Sequence, residues 1–189
     1  MSESIRSFVA FDLNSESVLK KLGEVQRLLF ETGADLKLVK PENIHMTLRF
    51  LGNISSGMVE KIFEEMKKVQ FMPFDVKLYG VGAFPDVRHP RVLWASITDG
   101  SNMLRGIFDQ LEPRIQNLGF LPDSKGFSPH LTIARVRSGR NREELSKCLL
   151  EKKDYEFGII RAECLRLKKS DLTPKGPIYS TLKEFCPGK

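Results

Sequence analysis

The sequence lacks the features that mark membrane-spanning and secreted proteins. No apolar run in its 189 residues approaches the ~20 residues that span a bilayer. The opening MSESIRSFVAFDL has no basic stretch followed by an apolar one, so we expect no signal peptide. Cys148, Cys164 and Cys186 form no CxxC pair, and we expect reduced structural thiols. These absences predict a cytoplasmic protein without a membrane anchor.

Charge alone does not select a function. The apolar share of 41% and the charged share of 29% are those of an ordinary globular protein. The formal net charge is +6 and the pI is about 9.3, which favours polyanionic partners such as RNA, DNA or nucleotides. A modest excess of positive charge also serves solubility. Both explanations stay open at this point.

Polar side chains occur in two segments that otherwise have the pattern of a buried strand. In ENIHMTLRFLG, alternation places His45, Thr47 and Arg49 on one face and apolar side chains on the other. The segment SPHLTIARV carries His130 and Thr132 at the same spacing. The apolar faces predict a core, whereas the polar faces indicate a site.

The repetition of the His-x-Thr motif indicates an internal duplication. A single copy would be a chance tripeptide, but two of the three histidines are followed by Thr at the second position. The two histidines lie 85 residues apart, and each follows a predicted strand and helix. We interpret the chain as a single domain of two tandem repeats, about residues 5–90 and 91–185. Pseudo-twofold symmetry would bring both motifs to one cleft.

Helix signals support an α+β fold. Ser15 is a candidate N-cap for a first helix, and Asn141 with Glu144 three residues later suggests a capping box for the last one. Gly33 and Gly119 follow apolar-periodic segments and predict helix ends. We therefore predict a bilobal α+β protein with two pseudo-symmetric, mainly antiparallel sheets, helices outside and a central cleft.

The paired motifs suit metal-free cleavage of a phosphodiester. Imidazoles titrate near neutral pH and serve as general acid and general base. Threonine hydroxyls donate hydrogen bonds to phosphate oxygens, and Arg135 and Arg49 are candidate cations for the developing charge. The sequence contains no P-loop and no GxSxG elbow. A zinc site is disfavoured because no third ligand accompanies the histidines at useful spacing, so we expect no metal and no cofactor.

At these residues the sequence resembles the 2H phosphoesterase superfamily, which is named for two HxTx motifs. The motifs here are HMTL and HLTI, and the resemblance extends to FVAFDL, LRFLG, SPHLTIAR and GPIYSTLKEF. It is strongest to the RNA 2′,3′-cyclic phosphodiesterase branch, also called the 2′-5′ RNA ligase family. The resemblance implies a bilobal fold and metal-independent hydrolysis of RNA 2′,3′-cyclic phosphate ends to 2′-phosphates.

The resemblance also implies roles for individual residues. His45 would be the proton donor to the leaving 3′-oxygen, and His130 the proton acceptor that activates water. Thr47 and Thr132 would bind the phosphate, and Arg135 matches an arginine that the family uses near it.

Strand parity separates the two candidate arginines. Strict alternation places Arg135 on the apolar face of its strand, so it reaches the cleft only if the strand bulges or ends before it. Arg49 has the parity of His45, but the resemblance does not support it. Arg135 is therefore the stronger candidate for phosphate binding.

The remaining candidates have structural explanations of equal or greater weight. His89 is expected to be an exposed loop histidine, although Arg88 and Arg91 beside it could contact an RNA backbone. Three aromatic residues could stack on a base but are expected in the core. They are Trp94, Phe8 and Phe11.

Other functions remain open on the sequence alone. The same two histidines would serve an ATP-independent, reversible 2′-5′ RNA ligase or another cyclic nucleotide phosphodiesterase of the superfamily. A non-catalytic RNA-binding module is a further alternative, which the two intact motifs disfavour. The expected partner is RNA with a 2′,3′-cyclic phosphate end, including tRNA fragments, and we expect a monomer.

Overall fold

The structure, a computed structural model, describes residues 4–123, 126–174 and 176–188. These residues form a mixed α+β fold with a large antiparallel sheet, which confirms the predicted fold class. The strands are β1 Ile5–Asp12, β2 Leu36–Leu38, β3 His45–Ile54, β4 Phe74–Phe84, β5 Val92–Ile97, β6 His130–Val136, β7 Glu156–Ala162, β8 Leu165–Thr173 and β9 Gly176–Phe185. The α-helices are α1 Glu16–Glu31, α2 Ser56–Met66, α3 Ser101–Asn117 and α4 Arg142–Glu151.

The strands form one hydrogen-bonded path in the order β7-β4-β5-β6-β3-β1-β8-β9, with β2 paired to β6. The expected two sheets are therefore joined edge to edge, where β3 meets β6 through the pair Met46 and Leu131. On either side of this junction four strands form a lobe. The first lobe contains β3, β1, β8 and β9, and the second contains β6, β5, β4 and β7.

The lobes do not correspond to the two halves of the chain. β4 precedes residue 90 but lies in the second lobe, whereas β8 and β9 come last and lie in the first. The helices are exchanged as well, because α1 packs on β6 and β7, and α3 packs on β3. Residues 74–162 thus form most of the second lobe, inserted between the strands of the first.

The first helix forms where the sequence predicts it. Ser15 has extended backbone angles, and its hydroxyl accepts a hydrogen bond from the backbone N–H of Val18 at 3.5 Å. Gly33 follows the helix with φ +72, a conformation in which a side chain is strained. The buried stripe comprises Val18, Leu22, Val25, Gln26 and Leu29. In the described part of the chain, no helix is long and apolar enough to cross a membrane.

The capping box predicted for α4 is wrong. Asn141 adopts the left-handed conformation, with φ 49 and ψ 39, and makes no side-chain cap. Its Nδ2 instead donates to the carbonyl oxygen of Thr32 at 3.0 Å. The side chain therefore ties the start of α4 to the end of α1, and tertiary contact overrides the local signal.

The expectation of reduced thiols is also wrong for two of the three cysteines. Cys164 and Cys186 form a disulfide across 22 residues, whereas Cys148 is free and half-buried. Cys164 lies between β7 and β8, and Cys186 directly follows β9. Because β8 and β9 are hydrogen-bonded neighbours, the crosslink closes the end of this strand pair.

Candidate active site

Both His-x-Thr motifs open the two strands that meet at the junction of the lobes. The antiparallel pairing of Met46 with Leu131 places His45 opposite Thr132 and Thr47 opposite His130, all on the face away from that buried pair. Residues directly opposite have Cβ atoms about 5 Å apart, and diagonal ones about 7–8 Å. The two imidazoles therefore lie on one diagonal and the two hydroxyls on the other.

Each imidazole is held by its own motif in the same way. His45 Nδ1 lies 2.7 Å from the carbonyl oxygen of Asn43, and His130 Nδ1 lies 2.7 Å from that of Ser128. A carbonyl oxygen only accepts, so Nδ1 carries the proton in both residues. In the neutral form, Nε2 then bears the lone pair. Neither Nε2 has a protein partner among the described residues, so both are available for proton transfer.

The threonine hydroxyls are similarly free. Thr47 and Thr132 are half-buried, and within the described ranges neither hydroxyl has a hydrogen-bond partner. Two hydroxyls without a protein partner in the described chain, set beside two imidazoles, are free to donate to a ligand with acceptor oxygens. A phosphate provides such acceptors.

Aromatic rings and a partly buried ion pair surround His45. Its ring lies 4.7 Å from that of Phe8 and 5.1 Å from that of Tyr179, between centroids. Lys168, which is 8% exposed, donates to Asp12, the cross-strand neighbour of His45, at 2.5 Å. Burial lowers the pKa of His45 against the opposing effect of the Asn43 carbonyl, and the Lys168 and His130 charges lower it further.

The surroundings of His130 are more open. Phe84 packs edge-on against its ring at 5.0 Å between centroids. Burial lowers the pKa of His130, the Ser128 carbonyl opposes this, and the charge of Arg135 lowers it further. Arg135 also lowers the pKa of Tyr179, which burial raises overall. The guanidinium therefore acts on groups of both lobes across the cleft.

A β-bulge after each threonine decides the position of the arginines. In β6, the partners of Leu93 and Trp94 are Ala134 and Thr132, so Ile133 is the extra residue. The bulge restores Arg135 to the cleft face, where it is exposed and, within the described ranges, free of ion pairs. The sequence predicts that Arg135 reaches the cleft only if the strand bulges or ends before it, and the bulge at Ile133 meets this condition.

The corresponding bulge in β3 turns Arg49 away from the cleft, so the position predicted for Arg49 is wrong. Val9 pairs with Arg49 and Ala10 with Thr47, which makes Leu48 the extra residue of β3. Arg49 is 8% exposed on the helix-covered face, and its Nε donates to Glu112 of α3 at 2.6 Å. Its other nitrogens donate to backbone carbonyls, so Arg49 is a structural residue and we do not retain it as a phosphate ligand.

Two of the three aromatic candidates take core positions, and His89 lies in an exposed loop. Phe8 and Phe11 are 2% and 1% exposed, as expected for core residues. The expected core position is wrong for Trp94, which is half-buried on the same side of the sheet as its cross-strand partner Thr132. It packs on Phe84, with its ring filling the space that a side chain at Gly82 would need. His89 is exposed in its loop and lies 3.7 Å from Asp86, which agrees with the expected loop histidine.

Sequence reasoning missed the groups that support His45. Tyr179 lies on β9, and Lys168 on β8, the neighbour of β1. The alternation of apolar and basic residues could have indicated a polar face on β8, since Leu165 and Leu167 lie on one face and Arg166 and Lys168 on the other. What the alternation could not show is that β8 belongs to the first lobe.

The described residues contain one cluster with metal-binding geometry, and it lies away from the histidines. It comprises Cys164, Glu184 and Cys186, whose ligand atoms lie within 4.8 Å of one another. The two sulfurs are bonded to each other, so they are not thiolates for a metal. Neither His45 nor His130 belongs to such a cluster.

Fold and site together define a two-lobed α+β protein with a symmetric pair of His-x-Thr strands at its centre. The model of the LigT like phosphoesterase family matches twice, at residues 13–94 and 98–179, and each match includes one motif. The chain belongs to this family, which confirms the resemblance to the 2H phosphoesterases.

Curated relatives extend over nearly the whole chain. One, named RNA 2′,3′-cyclic phosphodiesterase, from Aeropyrum pernix, is 40% identical over 87% of this chain and 93% of its own length. A relative of the same name from Methanothermobacter thermautotrophicus is 33% identical over 96% of this chain and 98% of its own length.

Solved structures share the fold. The TT0787 protein of Thermus thermophilus superposes with a TM-score of 0.78 at 27% identity, covering 96% of this chain and 97% of that one. The LigT protein of E. coli, solved with 3′-AMP, gives a TM-score of 0.81 at 20% identity, covering 99% and 100%. At this identity the second comparison supports the fold alone.

Proposed function

We propose that this protein hydrolyses RNA 2′,3′-cyclic phosphate ends to 2′-phosphate ends without a metal. The observation that carries the proposal is the pair of imidazoles with the same protonated Nδ1 and a free Nε2, set around one point with two free hydroxyls. The names of the relatives support the same activity and do not favour the 2′-5′ ligase alternative.

Proton transfer divides between the two histidines. His130 Nε2 takes a proton from water as its oxygen attacks the phosphorus. The bond from phosphorus to the ribose 3′-oxygen then breaks, and His45 Nε2–H donates its proton to that oxygen. The product is a 2′-phosphate with a free 3′-hydroxyl. Before the next turnover His130 releases its proton to solvent and His45 takes one up.

Three groups stabilise the phosphate during this step. The hydroxyls of Thr47 and Thr132 donate to its non-bridging oxygens, and Arg135 supplies a positive charge on the cleft face. The bound anion raises the pKa of both histidines by its charge and so offsets the lowering that burial causes. Substrate binding thereby favours the protonated acid that the reaction requires.

Location and partners are part of the same proposal. RNA fragments with cyclic phosphate ends, including tRNA fragments, are the proposed substrates of a monomeric cytoplasmic enzyme. The Cys164–Cys186 disulfide is unusual for that compartment, although intracellular proteins of hyperthermophiles contain such bonds. Alkylation of free thiols in rapidly quenched cells would test the disulfide together with the compartment.

Product analysis in the presence of EDTA tests the function. An oligonucleotide ending in a 2′,3′-cyclic phosphate should be converted fully to a 2′-phosphate, at a rate that chelator does not change. Adding an oligonucleotide with a 5′-hydroxyl tests ligation in the same reaction. Loss of activity in EDTA that a divalent ion restores, or a 3′-phosphate as the product, would contradict the proposal.

A further inference from the structure

An arginine-lined pocket lies at the opposite end of β6 from His130. It has a volume of about 310 Å³ and is bounded by residues 89–91, residues 136–138 and Arg142. The loop before β5 and the end of β6 are joined here, because the N–H of Val136 donates to the carbonyl of Arg91 at 2.9 Å. No lining residue is acidic and none is aromatic apart from the imidazole of His89.

The positive charge of this pocket is not compensated by the protein. Arg91, Arg137 and Arg142 are exposed, and among the described residues none of them forms an ion pair or a side-chain hydrogen bond. Some exposed cations elsewhere in the described chain are paired, such as Arg27 with Glu31, and others are not, such as Lys20 and Lys61, so what distinguishes the pocket is that three unpaired arginines share it. Three unpaired guanidiniums around one concavity form a site for an anion.

The acidic residues near the pocket do not cancel this charge. Asp86 lies 3.7 Å from His89 and accepts backbone hydrogen bonds from that residue and from Arg88. Glu143 and Glu144 lie in the first turn of α4, after Arg142, and both are exposed. Asp35 is also adjacent, because its backbone carbonyl accepts from the N–H of Arg137 at 2.9 Å. None of these four carboxylates contacts a lining arginine within the part of the chain that the structure describes.

The strand β6 connects the pocket with the catalytic cleft. From His130 to Val136 the strand covers roughly 20 Å, at about 3.4 Å per residue. Arg135 lies between them, exposed on the cleft face and without an ion pair among the described residues. Arg135 is therefore the one cation of β6 between His130 and the pocket, and it lies next to the pocket residue Val136.

The residue type favours a phosphate over other anions. All three unpaired cations are arginines, whose planar fork binds phosphate oxygens in a bidentate manner. A polar, open pocket suits a backbone phosphate, since stacking on a base would need an aromatic platform. We propose that the pocket binds a phosphodiester of the RNA backbone a few nucleotides before the cyclic end, so that longer RNAs bind more tightly.

This inference rests on the proposed function for the identity of the RNA, but binding tests it without turnover. Fluorescein-labelled RNAs ending in a 2′-phosphate, from the dinucleotide to the octanucleotide, are titrated by anisotropy at several salt concentrations. The test variant replaces Arg91, Arg137 and Arg142 with glutamine. The control replaces Lys20, Arg27 and Lys61, which are exposed residues of α1 and α2, with glutamine and has the same net charge.

The wild-type protein and the control should bind the octanucleotide at least tenfold more tightly than the dinucleotide. The pocket variant should lose this gain while it binds the dinucleotide normally. Its slope of log affinity against log salt should fall by about 0.7 for each phosphate that the variant no longer binds. All three proteins should melt at similar temperatures, because the substituted side chains are exposed.

The outcomes separate the pocket from the activity. Equal affinities of wild type and pocket variant for the octanucleotide, or equal losses in variant and control, would overturn the inference. Hydrolysis of a 2′,3′-cyclic mononucleotide, measured in parallel, should have the same kcat in all three proteins. If the wild type hydrolyses no cyclic phosphate, the proposed function fails, and RNA binding still decides on the pocket.

Discussion

His45 and His130 are held by the same local geometry, each with Nδ1 at 2.7 Å from the carbonyl oxygen two residues before it. Their surroundings differ. His45 lies between the rings of Phe8 and Tyr179 beside the partly buried ion pair of Lys168, whereas His130 contacts one ring and has an exposed arginine nearby. The duplicated backbone fixes where the imidazoles lie, and the side chains added by each lobe make the two positions chemically unequal.

The bulges also combine a symmetric backbone with different side chains in the two lobes. Each bulge begins directly after its threonine. As a result, the next residue that faces the cleft is the fifth one after the histidine. That position is Phe50 in the first lobe and Arg135 in the second, and both side chains are exposed. A symmetric backbone feature therefore presents a cation to the phosphate from one side only.

The largest expected effect tests whether the unequal surroundings correspond to unequal roles. His45→Ala and His130→Ala should each lower kcat on cyclic-phosphate RNA by roughly 10²–10⁴. On a nitrophenyl phosphodiester, whose leaving group departs without a proton, His45→Ala should be nearly harmless, because only the acid becomes dispensable. His130→Ala should remain severe. Steady-state kinetics on both substrates measures this difference.

Stability measurements are the control for this experiment. His130→Ala should hardly lower the melting temperature, and His45→Ala should lower it moderately, because the ring of His45 packs against Phe8 and Tyr179. Met46→Asp should unfold the protein, because it buries a charge in the core. Rescue of His130→Ala by the good leaving group would reverse the two roles. Rescue of neither variant would mean that at least one histidine holds charge and transfers no proton.

A smaller effect is expected for the two arginines of the bulged strands. Arg135→Met should lower kcat/KM by about 2–4 kcal/mol in transition-state free energy and leave stability unchanged, because its guanidinium is exposed. Arg49→Met should destabilise the fold by about 1–3 kcal/mol, because the half-buried Glu112 loses its charge partner and keeps only hydrogen bonds to its other oxygen. Denaturant titration and kinetics at a temperature where both variants are folded separate the effects.

The opposite pattern would contradict the assignment of faces. A large loss of stability in Arg135→Met, with full activity, would place its guanidinium in the core. A large loss of kcat/KM in folded Arg49→Met would return that residue to the cleft.

The smallest effect concerns the pH profile. The profile of kcat/KM should be bell-shaped and centred below the ordinary imidazole value, because burial and neighbouring cations lower the pKa of both histidines. Activity falls on the acidic side as the base His130 is protonated and on the basic side as the acid His45 loses its proton. Lys168→Met should move the basic limb to higher pH, and Arg135→Met the acidic limb.

Imidazole resonances followed by NMR through a pH titration measure these shifts directly, even in variants with little activity. Each substitution should raise the pKa of the histidine in its own half-site more than that of the other. Equal shifts of both histidines in either variant would show that the two half-sites are not electrostatically separate.

Much of the site could be predicted because it is local in sequence. Alternation within two short strands identified the His-x-Thr faces, and the repetition distinguished them from chance. The sequence could name a bulge only as the condition for Arg135 to reach the cleft, because the bulges depend on the register of β3 with β1 and of β6 with β5. The lobe exchange, the Cys164–Cys186 bond and the contact of Asn141 with Thr32 depend on distant partners, which local patterns do not encode.

The insertion of residues 74–162 into the first lobe constrains how the chain folds. β1 pairs with β3 on one edge and with β8 on the other, so its second edge is paired only after β8, near the end of the chain, has been synthesised. Until then one edge of β1 is unpaired, which is a hazard for aggregation. Pairings of such sequence separation give a high contact order and slow folding. Because each half of the chain contributes strands to the lobe of the other, neither half could form its present lobe alone.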